Sequence, residues 1–293
     1  MKKYLGRTGN IADDNGLCES VNRAIEECIS AGGVRATCVM ANMPSCAEAS
    51  SLRERFPDVS IGIHWNITQG RPVLRASEIS SLIASDGLFH CASELRRRWL
   101  RRRLDVNQLR SELGAQYERL SEIGIRPDFW NTHENTHVYP GLFQMFVGIG
   151  RTLGLSTMRC HRRVTVPRGA TSLTHSLTHP LYFLKGKVIS CWSHRAEVQG
   201  VRMPDARLYT PGYDAAKASV EEVVKRVPWN KVTGAVEMII HPATKIEPEI
   251  FGGLTESRIL EYETFKDPRF VDRLRGHGVE LVGFEILRGE SGT

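Results

Sequence analysis

The sequence predicts an α/β fold, and within that class a distorted (β/α) barrel of the TIM type with mainly parallel strands. Short apolar runs alternate with helical patterns along most of the chain. The length of 293 residues suits one such barrel, which typically needs about 250 residues. No internal repeat, low-complexity segment or Pro/Gly-rich linker divides the chain. We therefore predict one domain that spans residues 1–293.

Hydrophobic periodicity assigns the elements of the first half of the chain. Val21, Ile25 and Ile29 share one face of a helix that starts at Glu19 and ends at a glycine pair. Apolar runs bounded by polar residues predict strands. In order, this half is predicted to contain helix 19–32, strand 34–42, helix 45–56, strand 59–68, helix 105–124 and a strand within 125–133.

The second half follows the same rules less regularly. Pro140 suits the first turn of a helix, because the amide hydrogen that proline lacks has no partner there. Residues 170–201 carry no clear periodicity. The remaining predictions are helix 140–154, strand 156–164, helix 214–227, strand 234–243, helix 267–276 and strand 279–287.

Composition favours a cytoplasmic protein. No apolar run approaches the roughly 20 residues that a transmembrane helix needs. The amino terminus has two lysines but lacks the apolar segment of a signal peptide. The seven cysteines are scattered and form no C-x-x-C pair, so we interpret them as small buried side chains in a reducing compartment.

A basic run, "RRRWLRRRL", places six arginines between Arg96 and Arg103 in a chain of net charge +6. Trp99, Leu100 and Leu104 interrupt the run at spacings that form an apolar stripe, which predicts a solvated amphipathic helix. The alternative is a surface for an anionic partner such as a phosphate-bearing substrate, a membrane surface or RNA. No nucleic-acid-binding motif accompanies the run, so we expect no nucleic-acid partner.

The stretch "WNTHENTHVYPG" holds two histidines four residues apart, His133 and His137. In a helix they would share one face, as in zinc-peptidase motifs. Asn and Thr disfavour a helix here, and Pro140 prevents its continuation. We interpret the stretch as the end of a strand that runs into a loop and presents polar groups to a cleft.

Other ionisable residues also lie at the ends of apolar strand segments. Asp13 and Asp14 follow the first candidate strand, His64 lies at the end of "SIGIHWN", Arg159 follows "STM" and His241 follows "VEMII". The carboxyl ends of parallel strands share one face of a sheet, so these side chains should converge. Taken singly, the aspartates could be turn residues and the histidines core residues.

Taken together, one carboxylate and two imidazoles suit a catalytic divalent metal. In an extended segment Asp13 and Asp14 point to opposite sides, so one could bind the metal while the other reaches a water. Such a site fits hydrolysis of an amide or ester.

Four segments, "ADDNGLCESVNRAI", "GIHWNITQGRPV", "NTHENTHVYPGLF" and "VEMIIHPA", occur in an order and spacing that resemble the YdjC-like carbohydrate deacetylases. The best-known members of that family remove acetyl groups from chitooligosaccharides. The matches extend from Ala12 to about Phe284. The resemblance implies a distorted (β/α) barrel and, at the family level, a homodimer.

The resemblance also implies roles for individual residues. Asp14, His64 and His133 match the family's metal triad, Asp13 its general base, and His241 a histidine that we assign as general acid. Further residues of the matching segments are predicted to contact the substrate or support the ligands: Asn66, His137, Arg159 and Glu237. One divalent metal is expected, with zinc favoured by histidine ligation and magnesium as the alternative. Glu134 is left as an ordinary loop carboxylate.

Departures from the family pattern concern the surroundings of this triad. Asn15 stands where phenylalanine is usual, Asn131 where aspartate is common, and Asn135 where histidine is common. We therefore expect intact metal chemistry and an undetermined acceptor, with an N-acetylated amino sugar such as N-acetylglucosamine as the substrate. Two rival hypotheses are a catalytically silent sugar-binding relative and a phosphoester hydrolase, the latter supported only by the basic run.

Overall fold

A curled sheet of parallel strands forms the centre of the protein. The computed structural model describes residues 6–165, 180–209, 227, 234–252 and 255–288. The strands are β1 Gly6–Asn15, β2 Ala36–Val39, β3 Ser60–Trp65, β4 Trp130–Thr132, β5 Arg163–Thr165, β6 Ala206–Tyr209, β7 Ala235–Ile240 and β8 Val279–Val282.

The strand order is β4-β3-β2-β1-β7-β6-β5, and every ladder is parallel. β8 and β2 both lie on the side of β1 opposite to β7. β8 pairs with the first residues of β1, and β2 pairs with the last residues of β1. Single bridges join Trp130 to Met158 and Thr157 to Arg202, so β4 approaches the segment before β6 without a full ladder. The predicted distorted barrel of parallel strands is confirmed.

Helices connect the strands, as βαβ units require. They are α1 Glu19–Ser30, α2 Leu52–Arg55, α3 Ala92–Leu100, α4 Val106–Glu122, α5 Phe143–Thr152, α6 Pro180–Val198, α7 Pro248–Phe251, α8 Glu256–Phe265 and α9 Pro268–Gly276. Short 3₁₀ helices occupy Cys46–Ser51, His133–Val138 and Phe284–Arg288. None of the helices in the described ranges is both long and apolar enough to cross a membrane.

Most predicted helices are confirmed within a few residues. Asp105 caps α4 by accepting hydrogen bonds from the backbone amides of Asn107 and Gln108. The segment 45–56 begins as a 3₁₀ helix before α2, and the strand predicted within 156–164 is formed only from Arg163 onward, as β5. The helix predicted at 214–227 lies outside the described residues except for Val227.

Four elements lacked a sequence signal, one of which is the short helix α7. α6 lies within the segment that carries no periodicity, and β6 and α8 were not predicted. The buried face of α8 carries Arg258 and Glu261 beside Tyr262 and Phe265, so charged residues interrupt its apolar pattern.

Two hydrophobic clusters hold the helices on the sheet. One contains Trp65, Trp130 and Phe146, with the two indole rings 5.3 Å apart. The other contains Ile25 from α1 and Phe265 from α8. The second cluster fixes the position of α8, which carries a residue of the candidate site.

Gly33→Ala tests this packing of α8. A methyl group at Gly33 would lie 2.0 Å from the carbonyl oxygen of Phe265, so the end of α8 must move. We expect a loss of about 1–3 kcal/mol in the free energy of unfolding, the usual cost of overpacking. Urea denaturation measures it.

Gly114→Ala is the matched control for that experiment. Gly114 lies inside α4 with nothing within 4 Å of an added methyl group. Alanine should stabilise the helix by about 0.5–1 kcal/mol, because it is a better helix former than glycine. Equal stability of the Gly33→Ala variant and the unmodified protein would contradict the described contact.

Candidate active site

Asp13 and Asp14 lie at the carboxyl end of β1, in the centre of the sheet. The pairing register with β2 shifts between Ala12 and Asn15, and Asp14 adopts a left-handed conformation with φ of 66°. Both carboxylates therefore line one cavity of about 790 Å³. The prediction that strand alternation sends them to opposite sides was wrong, because the bulge interrupts the alternation.

Asp14, His64 and His133 bring three ligand atoms together. Asp14 Oδ1 lies 3.1 Å from His133 Nδ1 and 3.4 Å from His64 Nε2, and the two ring nitrogens are 3.3 Å apart. Ligands about 2.0–2.1 Å from a tetrahedral zinc ion lie roughly 3.3 Å from one another. The triangle therefore has the dimensions of three corners of a zinc site.

Asn131 orients His64 for this arrangement. Its side-chain oxygen contacts His64 Nδ1, so that nitrogen carries the hydrogen and Nε2 keeps its lone pair for a metal. The amide nitrogen of Asn131 donates to Asp13 Oδ1 at 3.2 Å. One side chain thus connects His64 with the Asp13 carboxylate.

Arg258 binds the second oxygen of Asp14. Its Nη2 lies 2.6 Å from Asp14 Oδ2, and both side chains are buried. Burial raises the pKa of Asp14, but His133, His64 and Arg258 outweigh it and hold the pKa well below its ordinary value. Asp14 is therefore ionised and ready to bind a cation.

Arg159 binds Asp13 in the same way. Arg159 Nη2 lies 2.6 Å from Asp13 Oδ1, while its Nε donates to Glu237 Oε1 at 2.6 Å. The other oxygen of Glu237 accepts the backbone amide of Cys160 at 2.9 Å. Burial by itself would raise the pKa of Asp13. Arg159 and the neighbouring histidines outweigh burial and hold the pKa below its ordinary value, so Asp13 is also ionised.

His241 follows β7 and completes the polar wall of the cavity. Its Nε2 is 3.8 Å from Asp13 Oδ2, and its backbone amide donates to Glu261 Oε2 at 2.6 Å. Burial lowers the pKa of His241 to about 4, against the opposing effect of the two aspartates. At neutral pH the imidazole is therefore uncharged.

A second group of potential ligands, Asp13, Cys38 and His64, lies beside the triangle. Its atoms are already engaged, because Arg159 and Asn131 donate to Asp13 Oδ1 and His64 Nδ1 faces Asn131. Burial raises the pKa of Cys38 well above its ordinary value, which keeps the thiol protonated. The chemistry therefore favours the Asp14 triangle as the metal site.

The family model described as "YdjC-like protein" matches residues 11–276. The chain belongs to the YdjC-like family. A "Carbohydrate deacetylase" of Danio rerio is 26% identical over 306 residues, which covers 93% of this chain and 96% of the relative. A "Chitooligosaccharide deacetylase" of Proteus mirabilis is 25% identical over 282 residues, covering 94% and 96%.

The fold has a counterpart among solved structures. A crystal structure from Enterococcus faecalis, of a protein provisionally described as a cellobiose-phosphate cleavage protein, superposes with a TM-score of 0.75. The sequence identity is 24%, and the match covers 96% of this chain and 98% of the other. The likeness establishes that this YdjC-like chain shares the fold of that protein.

Three of the predicted residues of this YdjC-like site do not line its cavity: Glu237, which pairs with Arg159, and Asn66 and His137. Asn66 is fully buried, and its side-chain oxygen accepts the backbone amides of Thr68 and Gln69, each at 3.1 Å. Thr68 and Gln69 do line the cavity, so Asn66 shapes the loop that presents them.

His137 is also fully buried and does not line the cavity. Its Nε2 lies 2.6 Å from His161 Nε2, and its Nδ1 lies 2.6 Å from the hydroxyl of Thr132. Thr132 precedes the predicted ligand His133, so His137 fixes the start of the loop that carries His133. The loop itself contains two residues in the left-handed conformation, Glu134 and Asn135.

Sequence reasoning missed Arg258 and Cys38, which touch the two aspartates. Arg258 lies in the unpredicted helix α8, and Cys38 was interpreted only as a small buried side chain. Neither position carries a local signal. Their contacts exist only because distant elements pack around β1.

The triangle predicts that zinc affinity falls as the pH drops through the pKa of His133, which lies above 6.5, the ordinary value for histidine. Burial lowers the pKa of His133 in the metal-free protein, but Asp14 outweighs burial and raises it. Below that raised pKa His133 holds a proton that zinc must displace, and above it the competition ends. Calorimetric titration with zinc in buffers of different protonation enthalpy measures both the affinity and the proton release.

A His194→Gln variant serves as the control in that titration. His194 is 77% exposed on α6, so its loss should leave the pH dependence unchanged. A zinc affinity that is constant on both sides of 6.5 would contradict the participation of His133.

Proposed function

We propose that this protein is a metal-dependent deacetylase that removes the N-acetyl group of an amino sugar, such as N-acetylglucosamine, in an oligosaccharide or glycoconjugate. The observation that carries the proposal is the triangle of Asp14, His64 and His133 beside an ionised Asp13 in one cavity. Curated relatives that align over nearly the full chain are named carbohydrate or chitooligosaccharide deacetylases, which supports the substrate class.

Asp14, His64 and His133 would hold one divalent metal, and two imidazole nitrogens favour zinc over magnesium. When bound, such an ion supplies Lewis acidity toward the acetyl carbonyl and toward water. The ligand atoms lie at the end of the cavity formed by β1, β3 and the loop after β4. The open coordination positions of a three-ligand site suit catalysis rather than a structural role.

Asp13 is the proposed general base. Arg159 keeps its carboxylate ionised and fixed, so it is available to accept the proton of the attacking water. Because Arg159 stabilises the charged form of Asp13, the carboxylate is a weak base and releases a captured proton readily. An acceptor for that proton must lie near by.

His241 is the proposed acceptor and the general acid. Its pKa of about 4 leaves it neutral before the reaction, so it cannot start as the acid. We infer that the proton moves from Asp13 to His241 Nε2, across the 3.8 Å that separate them, and then to the amine nitrogen. The water oxygen bonds to the carbonyl carbon, the C–N bond breaks, and acetate and a free amine leave.

The basic run of α3 does not favour a phosphoester substrate. Arg97 and Arg98 pair with Glu94 on the same helix, and no arginine of residues 96–103 lines the cavity. The cavity wall instead offers Thr68, Gln69 and Arg207, which suit recognition of sugar hydroxyl groups. The homodimer and the cytoplasmic location stay predictions.

The first test is release of acetate from N-acetylglucosamine oligosaccharides. The unmodified protein should release acetate, a chelator should stop the release, and added zinc should restore it. An Asp14→Ala, His64→Ala double variant should be slower by at least about 10²-fold, because the oxyanion loses its stabilisation. Mass spectrometry of the sugars locates the lost acetyl group.

A double variant Asp272→Ala, His194→Ala is the matched control, since it changes the same residue types at exposed positions. Undiminished acetate release by the Asp14→Ala, His64→Ala variant would contradict the proposal that these residues hold a catalytic metal. Metal binding without release from any N-acetylated sugar would favour the silent sugar-binding relative instead.

A further inference from the structure

We propose that Arg258 is a positioning residue that sets the orientation of the metal ligand Asp14. The inference rests on the proposed metal site, and it concerns a residue on a helix that no sequence motif of the site includes. Arg258 Nη2 lies 2.6 Å from Asp14 Oδ2, the oxygen that does not face the histidines. By occupying Oδ2, the guanidinium directs Oδ1 toward His64 and His133.

Asp14 needs such support because its backbone is strained. Its φ of 66° belongs to the left-handed region, where residues other than glycine are disfavoured. The register of pairing between β1 and β2 also shifts between Ala12 and Asn15, so Asp14 itself has no pairing partner on β2. Without a partner for Oδ2, the carboxylate could rotate and present a different oxygen or geometry to the metal.

Arg258 is itself held in place by its surroundings. The side chain is 3% exposed, and its guanidinium carbon lies 4.4 Å from the centre of the Phe251 ring. The backbone oxygen of Arg258 accepts the amide of Ala243 at 3.3 Å, just after β7. Three residues further along α8, Glu261 accepts the amide of His241.

The same helix therefore joins the two ends of the site. Arg258 fixes the metal ligand at the end of β1, and Glu261 fixes the backbone of the proposed acid after β7. Two nitrogens of Arg258, Nε and Nη1, have no hydrogen-bond partner among the described residues. Burying those donors costs free energy. An apolar side chain could fill the same space without burying unpaired donors. The ion pair with Asp14 is therefore the reason for an arginine at this position.

Arginine suits this role better than lysine. The guanidinium is planar and always charged, and it stacks on an aromatic ring while donating along its edge. A lysine would supply the charge without the fixed direction. Arg258→Met should therefore remove both effects, and Arg258→Lys only the direction.

The test measures zinc affinity by competition with a chromophoric chelator at fixed pH. We expect about 10–100-fold weaker binding for Arg258→Met, the usual effect of removing a residue that supports a metal ligand. Arg258→Lys should recover part of the loss. The absorption spectrum of the cobalt-loaded protein should change in both variants, because the ligand geometry changes.

Arg162→Met is the matched control. Arg162 pairs with Glu197 at 2.6 Å outside the cavity, so its loss removes a partly exposed arginine–glutamate ion pair without touching Asp14. Its zinc affinity and cobalt spectrum should match those of the unmodified protein. If Arg258→Met fails to fold, Arg258→Lys still gives the decisive spectrum and affinity.

Unchanged zinc affinity and an unchanged cobalt spectrum in the folded Arg258 variants would overturn the proposal. A raised KM with unchanged zinc affinity would also overturn it, since Arg258 would then contact the substrate. Failure of the unmodified protein to bind zinc would instead overturn the proposed function, and the role of Arg258 with it.

Discussion

The site depends on the burial of two adjacent carboxylates, each bound by its own arginine. Asp13 and Asp14 are 2% and 1% exposed, and charges buried to that degree need charged partners. Arg159 serves Asp13, and Arg258 serves Asp14, both at 2.6 Å. Removing one partner of such a pair typically costs about 3–5 kcal/mol, because the remaining charge stays buried.

This pairing explains why distant parts of the chain must meet at β1. Arg159 is fixed by Glu237 on β7, and Arg258 lies on α8, which packs through Phe265 against the turn at Gly33. The carboxyl ends of the strands supply the chemistry, while the segments after β4 and β7 supply the compensating groups. The packing of these elements and the charge balance of the site therefore depend on the same contacts.

Backbone strain is concentrated beside the ligands. Asp14, Glu134 and Asn135 all adopt the left-handed conformation, which costs roughly 1–2 kcal/mol for each residue of this kind. Asp14 is one of the proposed ligands, and the other two directly follow the proposed ligand His133. Thr132 and His137 hold the start and end of that loop. The strain indicates that the surrounding contacts impose the ligand geometry.

The sequence predicts the site residues that lie at strand ends. It does not predict the site features that depend on tertiary packing. Asp14, His64 and His133 converge because parallel strands end on one face, as the pattern of polar residues indicated. Arg258 could not be predicted, since charged residues on the buried face of α8 hide its periodicity. The bulge in β1 is equally invisible, because no local residue type requires it.

We propose that the neighbouring aspartates have separate tasks, Asp14 as metal ligand and Asp13 as base. The most direct measurement compares Asp13→Asn and Asp14→Asn by zinc content per chain and by acetate release in the same preparations. We predict that Asp13→Asn keeps its zinc and loses release, whereas Asp14→Asn loses both. Loss of zinc from Asp13→Asn with zinc retained by Asp14→Asn would contradict this division of roles.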